Sequence, residues 1–329
     1  MPVLLGENIQ LGVGKETTRG TAVAPTHWLR GRVPTSLKTM LEKQLIKETK
    51  GTRANSQDSI ITAQRVEGDF EFNVRNGTIG YFLLSLLGSV ASAEKGGDSG
   101  VYDHTFTIDV DEPRAPALTA AIARGAEQHY QIPLLVATSL QLTAQPSELV
   151  FATAGLLGKQ ENEVADYTPA FASDDHVFPR QGVSVKIAAN VAGLGAAEAI
   201  CLTELSLNIA NGARVKQCLG SLTPNDIIAL MVDVNGSLQL EYSAKEYYDW
   251  FKAGSAKAME ITIENTAETI GASSTPKIVI TLPKVTLEGY DESRPIDDIA
   301  SESLEFVAHY DDAAGKQIDV VVTNEESAY

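Results

Sequence analysis

The sequence predicts a mainly β fold of two tandem strand-rich units, each of roughly 150 residues, the ordinary size of a domain, and each with one short helix. Three observations predict it. Most strongly patterned segments alternate apolar and polar residues with period two. Only two segments carry helical spacing closed by a glycine. The first half of the chain also slides onto the second with its landmarks in the same order.

The clearest strand is VEGDFEFNV at 66–74, with Val66, Gly68, Phe70, Phe72 and Val74 on one face and Glu67, Asp69, Glu71 and Asn73 on the other. Such a strand buries one side and leaves an acidic side in water. The same alternation predicts strands over 105–110, 139–143, 277–281, 285–290 and 303–310, with turn residues between them. TIGYFLLSLL (78–87), between Asn76-Gly77 and Gly88, and KEYYDWFK (245–252), before Ala253-Gly254, predict the helices. In the repeat, VEGDFEF (66–72) lies over VNGSLQL (234–240), DSII (58–61) over DIIA (226–229), and Thr35 and Leu37 over Thr203 and Leu205. Each half finishes on a strand running into Gly-Lys-Gln, at 148–160 and 303–317. The division is a first unit over 1–160, a polar, turn-rich linker over 161–180, and a second unit over 181–329.

A chain of 329 residues with 43% hydrophobic and 21% charged residues has enough apolar material for real cores. No run approaches the roughly 20 apolar residues that span a bilayer, and the first residues lack the basic and apolar regions of a signal peptide. No membrane partner is expected, and assembly in a cytoplasm is. Cys201 and Cys218 are too few for a disulfide framework and lack metal-site spacing. The five histidines show no ligand spacing either. Glu67, Asp69 and Glu71 are neighbours on one face, not the opposed carboxylates of a glycosidase, and no serine stands in G-x-S-x-G. No enzyme, cofactor or metal is expected.

GVGKETTRGT (12–21) invites comparison with a phosphate-binding loop and fails it. The first glycine of the pattern falls at Ile9, and Glu16 follows Lys15 where a hydroxyl should stand. The net charge of −17, from 43 acidic and 26 basic residues, argues against a grip on nucleic acid through phosphates. It suits plain solubility, or a wall along which DNA slides without sticking.

GVGKETTRGTAVAPTHWLRG and VEGDFEFNVRNGTIGYFLLSLLGS together resemble the major tail proteins, or tail tube proteins, of long-tailed, siphovirus-like bacteriophages, here in a tandem-duplicated form. The likeness rests on G-x-E-x-x-x-G-T at Gly14, Glu16, Gly20 and Thr21 and on the G-D-x-E strand followed by a helix; the second half joins it through the internal repeat. The resemblance implies that each unit is a β-sandwich or small barrel with a flanking helix. Rings of six units would stack with their inner sheets fused around a channel, so three of these chains would make one pseudo-sixfold ring. It also implies a place in the virion tail, other tail proteins such as tape measure, terminator and distal tail proteins as partners, and DNA passing through the lumen without specific binding.

On that footing the strand 66–74 and its copy 232–242 would line the channel with Glu67, Asp69, Glu71, Asp233 and Glu241. TMLEKQLIKETKGTRANSQ (39–57) would be a basic arm, carrying Lys43, Lys47, Lys50 and Arg53 to an acidic face of the next ring, with 211–225 as its shorter counterpart. Its other reading is a surface helix or hairpin. The glycines and threonines of 12–21 would be turn and arm residues at an N-terminal contact. The alternatives are another β-rich assembly protein (a terminator, baseplate hub or decoration protein) and a carbohydrate-binding β-sandwich. The latter needs an exposed aromatic platform, which 6% aromatic residues serve poorly.

Overall fold

The computed structural model describes residues 5–125, 128–242, 245–297 and 299–329. The alternating segments form strands because one set of side chains has a core to face and the other has water. In the first half the order is β1 (Ile9–Lys15), β2 (His27–Leu29), β3 (Lys38–Ile46), β4 (Asp58–Asn73), α1 (Ile79–Leu87), β5 (Gly88–Glu94), β6 (Tyr102–Ile108), β7 (Leu118–Arg124), β8 (Gln128–Ala144), β9 (Phe151–Gly158) and β10 (Asn162–Glu163). The second half continues with β11 (Val183–Ala188), β12 (Ala199–Ile200), β13 (Leu202–Ala210), β14 (Arg214–Lys216), β15 (Asp226–Ile228), β16 (Asp233–Glu241), α2 (Glu246–Ala253), β17 (Lys257–Glu264), β18 (Lys277–Ser293), β19 (Ser301–Ala308) and β20 (Asp319–Asn324). The strand expected at 66–74 lies in β4, and those at 277–281 and 285–290 prove to be one long strand, β18. Both helices form where glycine punctuation placed them.

Eighteen of the strands make two layers, β14 and β15 pairing apart from them, with all neighbours antiparallel. One layer runs β3-β4-β9-β8-β13-β16-β19-β18, using the C-terminal parts of β8 and β18. The other comprises β2-β1-β7-β8 with β10 beside β8, and β12-β11-β17-β18-β20-β6-β5. β8 and β18, each 17 residues long, serve both layers. Their registers shift between Ala137 and Ser139 and between Leu287 and Gly289, where an extra residue bends a strand and re-aims the side chains beyond it. The fold is β-sandwich-like. The first layer does not close into a barrel within one chain, because among the described residues β3 and the C-terminal part of β18 each have a strand neighbour on one side only.

One buried cluster runs through both halves, from Leu11 to Tyr329. At its centre Phe72 lies 5.5 Å from Phe70 and 5.1 Å from Phe82, ring centre to ring centre. Fully burying each such side chain stabilises the fold by about 1.5–3 kcal/mol. All nine residues of α1 are buried, whereas α2 buries Trp250 and leaves most of its surface wet.

The halves are joined in several places. β13 extends the sheet at β8, and β6 of the first half pairs with β20 of the second. The C-terminal Tyr329 returns to the first half, where its hydroxyl donates to the carbonyls of Asn76 and Gly77. The stretch expected as a linker, 161–180, connects the halves while packed against the first: the Gly77 amide donates to Asp175 at 3.0 Å, and Phe178 is fully buried.

Candidate functional site

Alternation along β4 sends Phe70 and Phe72 into the core and leaves Glu67, Asp69 and Glu71 together on the opposite, polar face of the sheet. The face is not bare carboxylate. Arg65 lies 3.1 Å from Glu67 and also pairs with Glu42, and these hydrogen bonds, Glu42 first and then Glu67, raise its already high pKa. Arg32 lies 3.3 Å from Glu71 and 3.1 Å from Glu148, with its guanidinium over the Phe151 ring. Asp69 is the exposed member of the three.

Asp233 and Glu241 stand exposed at the two ends of β16, with Asn235, Ser237 and Gln239 between them on the same face. The sheet order brings β4 and β16 into one layer, so all five acids share a surface. Further acids on that face were not singled out by the sequence pattern, among them Glu305 on β19, and Glu288 and Asp291 on β18. The alternation in SLEFVA could have revealed Glu305. The bulge at Leu287/Gly289 breaks the alternation that would have revealed the other two.

The segment 39–57 is the hairpin alternative. β3 pairs with the first part of β4 out to Ile46 opposite Asp58, and 47–57 closes the tip. Lys43 stands on β3; Lys47, Lys50 and Arg53 lie in the tip, and all four are exposed. So are Leu41, Leu45, Ile60 and Ile61, which have no core beneath them. A lone two-stranded hairpin is marginal in water, and these four apolar side chains remain unburied in the single chain. The counterpart in the second half is docked. β14 and β15 form a small hairpin whose Ile227 is buried against Ala117, Leu134, Val136 and Leu157 of the first half.

That docking explains GVGKETTRGT. Glu16 is nearly buried and accepts hydrogen bonds from the Leu134 amide at 2.7 Å, Thr119 Oγ1 at 3.0 Å and the Gly20 amide at 2.5 Å. Arg19 crosses to the second-half hairpin, 2.8 Å from Asp226, and donates to the carbonyls of Ala115 and Ile227. Gly12 and Gly14 belong to the buried strand β1 rather than to a turn. A Cβ on Gly14 would come within 2.4 Å of the Ala24 carbonyl, and one on Gly12 within 2.9 Å of Pro25. The arginine ties the halves together and the acid ties β1 to β7 and β8; the glycines let the 23–28 segment lie close.

Among the described residues no group of three His, Cys, Asp or Glu side chains stands close enough to hold a metal ion, and no helix is long and apolar enough to cross a membrane. A sheet with two open edges, one polar face and a projecting hairpin is the make-up of a structural protein, with edges open to further strand pairing. The family model for phage tail tube protein matches residues 6–308, and the chain belongs to that family. It is a tube-forming structural protein of the virion, without catalytic activity, and assembles with other tail components. No curated protein matches the chain.

Proposed function

We propose that the chain carries two tail-tube units, 1–160 and 181–329 joined by 161–180, and that three chains close into a pseudo-sixfold ring that stacks into the tail tube. The observation that carries this reading is the eight-strand layer, whose last four strands repeat the pattern of its first four. Lys38 faces Glu67 as Asn208 faces Asn235, Gly68 faces Leu156 as Gly236 faces Phe306, and Leu140 faces Ala154 as Tyr290 faces Leu304. The bulges at Ala137/Ser139 and Leu287/Gly289 fall at the same step. One half supplies the free edge at β3 and the other supplies the free edge at β18, so copies add head to tail until the sheet curves shut and has no edge left.

In that ring the polar face turns to the lumen, with Glu67, Asp69, Glu71, Asp233 and Glu241 joined by Glu288, Asp291 and Glu305. Duplex DNA carries one negative charge per ~1.7 Å of axis, so a lysine-rich wall would hold it and an acidic wall leaves it mobile. The hairpin reaches the neighbouring ring, where Leu41, Leu45, Ile60 and Ile61 gain a cover and Lys43, Lys47, Lys50 and Arg53 meet acidic surface, which sets orientation more than affinity. Assembly in the host cytoplasm, and contacts with tape measure, terminator and distal tail proteins, fit that place in the tail.

The test is electron microscopy of the purified chain beside a variant in which 43–61 is replaced by a short glycine turn. The intact chain should form hollow tubes at high concentration, and the shortened one single rings or free chains. Long tubes from the shortened chain would remove the arm from the stacking contact.

A further inference from the structure

We propose that the seam between two copies of the chain repeats the register of the seam inside it, setting Asp291 on β18 of one copy directly opposite Lys38 on β3 of the next. This rests on the ring proposed for the function and adds the residues that make the join. Inside the chain β8 meets β13 with Leu140 opposite Ile209, Gln141 opposite Asn208 and Thr143 opposite Ser206. β18 stands to β19 as β8 stands to β9, and β3 stands to β4 as β13 stands to β16. Carrying the internal register across places Tyr290 opposite Thr39, Asp291 opposite Lys38 and Ser293 opposite Ser36.

The chemistry of the two edges agrees with that placement. Lys38 and Asp291 are both exposed and both on the polar face of their strands, and opposite charges directly across an antiparallel pair are favoured where like charges are not. A slip of one residue would turn Tyr290, packed between Tyr248, Phe251 and Glu302, toward the polar face. A slip of two keeps the faces but sets Lys38 against Ser293, or Asp291 against Ser36, and loses the charge pair.

The seams differ beneath the sheet. Inside the chain the core-side pairs are apolar, Leu140 with Ile209 and Leu142 with Leu207. Between copies they become Tyr290 with Thr39 and Glu292 with Leu37. The edges exposed before assembly are therefore the polar ones, which guards a free chain against indiscriminate pairing. Register between copies then depends on the charge pair more than on apolar contact.

The full chain with Cys201→Ser and Cys218→Ser provides the background for four double variants, each assembled and then oxidised. Lys38→Cys with Asp291→Cys, and Ser36→Cys with Ser293→Cys, should bridge neighbouring chains into covalent closed trimers. They should do so roughly tenfold faster than Lys38→Cys with Ser293→Cys or Ser36→Cys with Asp291→Cys, because opposed Cα atoms lie about 4.5–5.5 Å apart and diagonal ones about 7–8 Å, beyond a disulfide's span. Tubes that bridge faster at the diagonal positions, or at none, would overturn the register and leave the ring standing. Chains that stay single and bridge nowhere would sink both. Should the cysteine variants fold poorly, Lys38→Asp and Asp291→Lys give the second test: each alone should slow assembly, and the two together should restore it. A double variant no better than either single one would overturn the pair.

Discussion

The Glu16 carboxylate, with its three donors inside the chain, shows how a residue that looks like part of a ligand loop can serve the fold instead. Replacing it by alanine leaves the Leu134 amide and Thr119 hydroxyl without an acceptor in a buried place, at a cost of about 2–3 kcal/mol. Denaturant unfolding of the unassembled Glu16→Ala chain should show that loss, and an unchanged midpoint would refute the role. His104 makes a second residue-scale prediction. It is fully buried, its Nδ1 sits 2.7 Å from Ser92 Oγ, and its Nε2 faces two acceptors, Asn324 Oδ1 and the Glu326 carbonyl. Burial holds its pKa below the ordinary 6.5, although those two acceptors pull the other way. A depressed folded value means that the unfolded chain binds more protons. Its stabilising contribution is present above pH 6.5 and is lost as pH falls from there through the folded value. Glu326, raised chiefly by burial, works oppositely as pH falls toward 4.5, so the difference between wild type and His104→Gln isolates the histidine. That difference should shrink between pH 7 and 5; a constant difference would exclude it. The sequence excluded a phosphate loop at Glu16 but could not show two of the carboxylate's three partners, which lie on β7 and β8, over a hundred residues away.

Among the elements, β4 and α1 were the most legible, because period-two alternation and a glycine stop are local signals that act before any partner is chosen. The hairpin was half legible. Leu41 and Leu45 suit a helix face as well as a strand, and only the pairing of β3 with β4 decides. β5 and β6 were hardest to place, since their hairpin serves the second half by pairing with β20 rather than its own layer. The polar face of β4 carries its own prediction. A chain with Glu67, Asp69 and Glu71 all changed to lysine keeps the apolar set that specifies the strand, so it should fold and assemble, yet release DNA more slowly. Added salt should ease the defect as the Debye length falls from about 10 Å at 0.1 M toward 3 Å at 1 M. DNA release at an unchanged rate, in tubes of normal form, would place these carboxylates away from the path.

At the scale of the whole molecule, the order of landmarks in the two halves was readable from the sequence, and their joins were not. Which strand neighbours which depends on contacts far apart along the chain. The passage of β8 from one layer to the other, the return of Tyr329 into the first half and the shared core therefore had no local signature. Those joins give each chain one shared core with an open sheet edge on either side, and the proposed ring of three chains is built on those edges. A cryo-electron microscopy reconstruction of the assembled tube tests it most directly. It should show three chains per ring, a continuous inner sheet of β3, β4, β9, β8, β13, β16, β19 and β18 from each, and Glu67, Asp69 and Glu71 facing the lumen. Six chains per ring, or that face turned outward, would contradict the account.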